Sequence, residues 1–188
     1  LYAAQSIQPS FFDYTANVQQ GQPVDGIPIV QGRGSVTIRN GVIENGAEGA
    51  ISWGVQSTAA DVKLVLNNVF IKTTGVNSIA VDALQATITR CRFDVTNPIL
   101  VNRHGSSYYA VDLHGQQPSE VSFSEFYGGQ GCLVFKGRHT DVHNNRFFNR
   151  QTVTNHYSIM AMGDSSRIFD NHIEPETGSG IEIFRHKY

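Results

Sequence analysis

The sequence predicts a right-handed parallel β-helix, an all-β solenoid of about six to seven coils. A short phrase recurs along the chain: an alternating strand, a polar pair, then an apolar residue two places later. A second alternating strand precedes the copies, with apolar residues at every other place. Composition agrees, because Phe, Tyr, Val, Ile and Thr are plentiful, Gly numbers 18, and long runs of Ala, Leu, Glu and Lys are missing.

The phrase is read at Ile38–Ile43, Leu66–Phe70, Ile88–Phe93, Val121–Phe126, Val142–Phe147 and Ile168–Ile173. Taking the second member of each polar pair as the marker gives positions 41, 68, 91, 124, 145 and 171, at intervals of 27, 23, 33, 21 and 26 residues. That is the length of one coil built from three short strands, with the turns absorbing the variation. Coils stack at the strand spacing of ~4.8 Å, so equivalent residues form rows along the solenoid. Asn68, Asn145 and Asn171 are thus expected in an internal ladder, each amide bonding the turn of the next coil.

The upstream strands are Ile51–Trp53, Ile79–Asp82, Tyr109–His114, Leu133–Lys136, Ile159–Met162 and Ile181–Phe184. Their odd members are expected to point inward and their even members outward. A leucine-rich repeat would need a fixed leucine consensus, and a propeller about four strands per blade. Neither is present.

Residues 1–34 hold no copy of the phrase and contain Pro9, Pro23 and Pro28, so an irregular lead-in segment or cap is expected, with a strand from Ile27 to Val30. Residues 35–188 form the expected solenoid. The chain starts at Leu1 and closes on an uncovered strand, from which a continuation beyond the C-terminal end is expected.

A formal net charge of −2 gives no basic field for nucleic acid, and no apolar run approaches the ~20 residues of a membrane span. Oligomeric state is not legible. Cys91 and Cys132 lack metal-site spacing and read as buried thiols, a disulfide being the alternative.

Aligning the upstream strands puts Asp82, Asp112 and Lys136 in one outward row, with His114 and Arg138 two places further along their coils. The coil with the longest interval carries a loop over residues 99–107, where Arg103 and His104 border the same groove, with Tyr108 following. His139, Asp141 and His143 alternate on the next strand, where Asp-x-His has metal-ligand character but lacks a third ligand. Trp53 is placed inward by its alignment. No metal or other cofactor is expected; calcium has no clear motif.

The stretch Tyr108-Tyr109-Ala110-Val111-Asp112-Leu113-His114-Gly115, with Gly131 to Arg138 one coil later, resembles the catalytic coils of mannuronan C5-epimerases. That family carries D-P-H-D followed by a basic residue on the next coil; here Leu113 and Gly115 stand in place of the proline and the second acid. More broadly, residues 35–185 resemble the pectin-lyase-like superfamily, which includes alginate and chondroitin lyases that use a Lys and Arg pair.

The resemblance implies an extracellular or periplasmic protein acting on an acidic polysaccharide by removing the C5 proton of a uronic acid. A cation that neutralises the neighbouring carboxylate stabilises the enolate-like intermediate. Arg138 or Lys136 would supply it. His114, with an ordinary pKa of ~6.5, or Lys136 would take the proton, and Tyr108 or Tyr109 would return one. Asp112, Asp82, Arg103 and His104 would complete the site. Two other readings stay open. Asp82 and Asp112 on adjacent coils could serve a glycoside hydrolase, which needs carboxylates about 5 to 9.5 Å apart. A noncatalytic solenoid, tailspike-like or adhesin-like, would bind glycans without turning them over.

Overall fold

A computed structural model describes residues 11–13, 30–32, 35–45, 51–53, 63–73, 80–95, 109–128, 131–149, 157–175 and 179–183. The regular elements among them are strands, and they pair in parallel. The chain lays down β1 (Phe11–Asp13), β2 (Val30–Gly32), β3 (Val36–Asn45), β4 (Ile51–Trp53) and β5 (Leu64–Thr73). Three separate strands per coil follow. The first such coil is β6 (Val81–Ala83), β7 (Ala86–Thr89) and β8 (Arg92–Val95). The second is β9 (Tyr109–Leu113), β10 (Glu120–Ser122) and β11 (Glu125–Gly128). The third is β12 (Gly131–Phe135), β13 (Asp141–His143) and β14 (Arg146–Asn149), and the fourth is β15 (Tyr157–Ala161), β16 (Arg167–Phe169) and β17 (His172–Pro175). Finally β18 (Ser179–Ile183) stacks on β15.

The parallel β-helix is therefore observed, with about four three-stranded coils where the sequence led us to expect six to seven. The difference lies in β3 and β5, ten residues each, whose mutual pairing skips Asn40 and Asn68 and resumes at Gly41 and Val69 within one strand. Neither Gly41 nor Val69 has a polar side chain with which to bond the turn. The later coils carry Cys91, Ser124, Asn145 and Asn171 at this place, and there the strand divides in two. Two sheets result. One has eleven strands and holds both halves of each divided strand; the other has seven, in the order β18-β15-β12-β9-β6-β4-β2.

Between the sheets lies a continuous apolar interior, including Leu66, Ile88, Val121 and Val142 from the successive phrases. Phe93, Phe126 and Phe147 are fully buried at equivalent places and stack with ring centroids 4.8 and 4.7 Å apart. Such pairs contribute about 0.5–1.5 kcal/mol each beyond the area they bury.

The polar ladder beside these rings differs by one residue from expectation. Asn68 belongs to an outer row of left-handed turn residues with Asn40, Arg90, Phe123, Asn144 and Asp170, all at φ between 51 and 55°. Its amide bonds Asn40 Oδ1 at 2.9 Å. The inward place in that coil is Val69. The ladder proper runs through Cys91, Ser124, Asn145 and Asn171. Cys91 N donates to Ser124 Oγ (3.0 Å), Ser124 N to Asn145 Oδ1 (2.9 Å), and Asn145 N and Nδ2 both to Asn171 Oδ1 (3.0 Å each). Asn145 Nδ2 also donates to the Val121 carbonyl (2.8 Å), and Asn171 Nδ2 donates to the Val142 (2.8 Å) and Phe169 (2.9 Å) carbonyls.

Both cysteines are free and buried, as expected. Burial pushes the Cys91 thiol up to about 11 and the Cys132 thiol to about 12. Among the described residues no helix is long and apolar enough to cross a membrane.

Candidate functional site

The outer face of the seven-stranded sheet is set by parallel register. Asp82 pairs with Asp112, Asp112 with Val134, Val134 with Met160 and Met160 with Glu182. This corrects the expected row of Asp82, Asp112 and Lys136: the place beside Asp112 on the next coil belongs to Val134. The apolar partners Val111–Leu133 and Leu113–Phe135 fix the register, and a shift by two places would break both.

Lys136 instead lies beside His114. The Lys136 amide donates to the Leu113 carbonyl (2.8 Å), the His114 amide to the Ala83 carbonyl (3.0 Å) and the Met162 amide to the Phe135 carbonyl (2.9 Å), so Leu84, His114, Lys136 and Met162 share one row. A glycine follows each of the last three: Gly115, Gly137 and Gly163. A Cβ on Gly115 would lie 2.2 Å from the Leu84 carbonyl oxygen, and one on Gly163 would lie 2.0 Å from that of Gly137. Backbone thus stacks directly on backbone at this corner, which holds His114 and Lys136 level on neighbouring coils.

Two adjacent outward rows therefore carry polar groups. Asp82 and Asp112 form one pair, about 4.8 Å apart by strand spacing, and His114 and Lys136 form the other, two residues further along their strands or about 6.7 Å. Asp112, His114 and Lys136 are each partly buried. For Asp82 the backbone is described and the side chain lies outside the described residues. Arg138 sits beyond the Gly137 corner, exposed, its amide bonded to the Gln116 carbonyl at 3.3 Å, so the structure does not bring it into either row. Arg103, His104 and Tyr108 lie outside the described residues, as does the side chain of Trp53.

Strict alternation fails at the start of these strands. Ala110 and Cys132 join their neighbours Val111 and Leu133 in the interior, while Tyr109 and Val134 are buried apart from that cluster. Tyr109 lies against Gly131, where a Cβ would be 2.2 Å from its ring carbon Cε1. Burial, and after it the negative charge of Glu182, raises the Tyr109 phenol far above its usual range. Tyr157 is raised too, first by its hydrogen bond to Glu182. The face thus continues through Tyr109, Tyr157 and Glu182, none of which the expected row contained. Glu182 was readable, because Ile181-Glu182-Ile183 continues the alternation that marks Asp112. Tyr109 Oη and Glu182 Oε2 are buried without a hydrogen-bond partner.

The strand bearing Asp141 and His143 belongs to the other sheet. Arg167 holds Asp141 in a two-pronged ion pair, Nε–Oδ1 2.8 Å and Nη2–Oδ2 2.6 Å, which keeps the Asp141 carboxyl below its ordinary range. His143 lies 3.5 Å from Glu120 and contacts Asn144 Oδ1 through Nδ1 at 2.9 Å. His139 stands in a left-handed turn at φ 54°. Among the described residues no three His, Cys, Asp or Glu side chains group to hold a metal ion.

Chemically, the outer face of the seven-stranded sheet offers the Asp112 carboxylate next to an imidazole and an ammonium group, on backbone fixed by the glycine corner, with the Asp82 backbone paired to that of Asp112. Compared with known protein families, with curated proteins and with solved structures, the chain has no match.

Proposed function

We propose that the outer face of the seven-stranded sheet binds an acidic polysaccharide and removes the C5 proton of a uronic acid residue, by elimination or epimerisation. The observation that carries this reading is the register that sets His114 beside Lys136 on adjacent coils, with Asp112 on the same face. In this reading Lys136 neutralises the uronate carboxylate, which acidifies C5, and His114 takes the proton. The electron pair left on C5 either forms the C4=C5 double bond, expelling the glycosidic oxygen, or collects a proton on the opposite ring face. In elimination the imidazolium of His114 passes its proton to the departing glycosidic oxygen, and in epimerisation solvent protonates the opposite ring face. Asp82 and Asp112 hold sugar hydroxyls, and Arg138, Arg103, His104 and Tyr108 extend the substrate groove. The resemblance to epimerases and lyases of the pectin-lyase-like superfamily supports the same chemistry, in the extracellular or periplasmic space where such polymers occur.

Direct pairing of Asp82 with Asp112 favours a second reading, a glycoside hydrolase. Their strand spacing lies near the separation of about 5–5.5 Å that retaining enzymes use. Incubating the protein with alginate, pectate and chondroitin, and separately with neutral glycans, distinguishes the readings. Absorbance rising near ~230 nm reports elimination, and solvent deuterium at C5 of an unbroken chain reports epimerisation. New reducing ends on a neutral glycan, with neither signal, would replace the leading reading by the hydrolase. Silence from every polymer would leave a noncatalytic solenoid.

A further inference from the structure

The outer row of left-handed turns belongs to the eleven-stranded sheet and has no part in the chemistry proposed above. Asn40, Asn68, Arg90, Phe123, Asn144 and Asp170 occupy it on successive coils, and all six are exposed. Register makes them equivalent, since Arg39, Asn67, Thr89, Ser122, His143 and Phe169 directly precede them and pair in that order. At the coil spacing of ~4.8 Å the row is a ridge about 24 Å long.

Asn and Asp tolerate the left-handed conformation because their short polar side chains bond locally, and four of the six residues are of these types. Arg90 and Phe123 are the departures, and Phe123 is the apolar one. Its φ is 51°, and its side chain is 56% exposed. A bulky residue in this conformation costs roughly 1 kcal/mol, and its ring adds nothing to the interior cluster.

The ring is nevertheless held in place. It meets His143 nearly at right angles with centroids 5.7 Å apart, and His143 stacks on Phe169 at 4.9 Å. Glu120 and Asn144 anchor the imidazole in turn. Phe169 is itself 41% exposed, so a rigid aromatic cluster faces solvent across three coils. Beside Phe123 on the ridge stand a guanidinium, Arg90, and a carboxamide, Asn144.

We propose that this ridge binds a neutral glycan, with one pyranose ring stacked on Phe123 and its neighbours bonded by Arg90 and Asn144. A pyranose has an apolar C–H face that fits an aromatic ring and rim hydroxyls that fit planar amides. Consecutive sugars in an extended chain advance by about one coil, so the ridge can meet several residues in register. Its charges, one arginine and one aspartate among three asparagines and a phenylalanine, sum to zero, which favours a neutral chain over a polyanion. A protein partner fits less well, because a stable interface buries about 800 Å² per side and the ridge is one residue wide.

The test is calorimetric titration of the full chain with cellohexaose, xylohexaose and mannohexaose, and with the dimer of whichever binds. At least one hexamer binds, more tightly than its dimer. F123N weakens that binding by about tenfold, whereas F123Y, which keeps the ring, stays within about threefold. The thermal midpoint of F123N rises, because asparagine suits φ 51°. The proposal is overturned if none of the three hexamers binds, or if F123N binds as the wild type does. A lower midpoint with unchanged binding would likewise make Phe123 a packing residue.

Discussion

The inside of the turn ladder and the outside of the seven-stranded sheet treat buried polar groups in opposite ways. Along Ser124, Asn145 and Asn171 the side-chain groups meet a partner in the next coil or in their own turn. On the outer face, Tyr109 Oη and Glu182 Oε2 are buried without one. A buried polar atom left unpaired costs more than its bond would have contributed, so folding alone gives no reason for such atoms. The ladder joins successive coils through paired groups, whereas Tyr109 and Glu182 keep an oxygen out of reach of both solvent and a close hydrogen-bond partner.

Removing a rung should have the largest effect. Asn145→Ala deletes the acceptor of the Ser124 amide and the donor to the Val121 carbonyl, both buried. Urea unfolding should show a loss of about 3 kcal/mol or more. Gly131→Ala comes next, because its Cβ enters the Tyr109 ring, and we expect a loss of about 2 kcal/mol by the same measurement. Combining it with Tyr109→Ala should be clearly non-additive, since both changes act on one contact.

Tyr109→Phe sharpens the comparison through its size. It removes a buried hydroxyl that meets the Tyr157 backbone without a hydrogen bond of good geometry, so stability should change by less than about 1 kcal/mol, far less than in Asn145→Ala. The smallest effect is expected at the Asp141–Arg167 pair, which is open to solvent. Because Arg167 lowers the Asp141 carboxyl, the pair stabilises the fold above the unfolded aspartate value of ~3.9 and the gain disappears as pH falls through the lower folded value. The gap in thermal midpoint between wild type and Asp141→Asn should therefore be small near neutrality and close on acidification below about pH 4.

Much of the fold was legible because period and spacing report burial directly. Ile88-Thr89-Arg90-Cys91-Arg92-Phe93 and Val142-His143-Asn144-Asn145-Arg146-Phe147 show the same inward places, and the structure stacks Phe93, Phe126 and Phe147 accordingly. Asn67-Asn68 was ambiguous, because two successive amides satisfy the phrase in either register and only backbone conformation separates the turn residue from the ladder. Lys136 was misplaced for a related reason. Aligning the upstream strands set it in the row of Asp112, whereas the apolar pairs Val111–Leu133 and Leu113–Phe135 decide register and bring it to His114. Tyr109 was read as an inward member of its strand; it is buried, but apart from the apolar interior, because Ala110 and Val111 both turn inward where the strand leaves its corner. No period-two pattern announces that bend.

The central claim is that His114 removes a C5 proton from a uronic acid held by Lys136. C5 proton removal should be followed for wild type and His114→Ala in deuterium oxide, on alginate, pectate and chondroitin, as deuterium uptake or unsaturated product. The account predicts that wild type acts on at least one polymer and that His114→Ala is slower by about a hundredfold or more. Equal rates in the two proteins, or no C5 proton removal by wild type from any of the three, would contradict it.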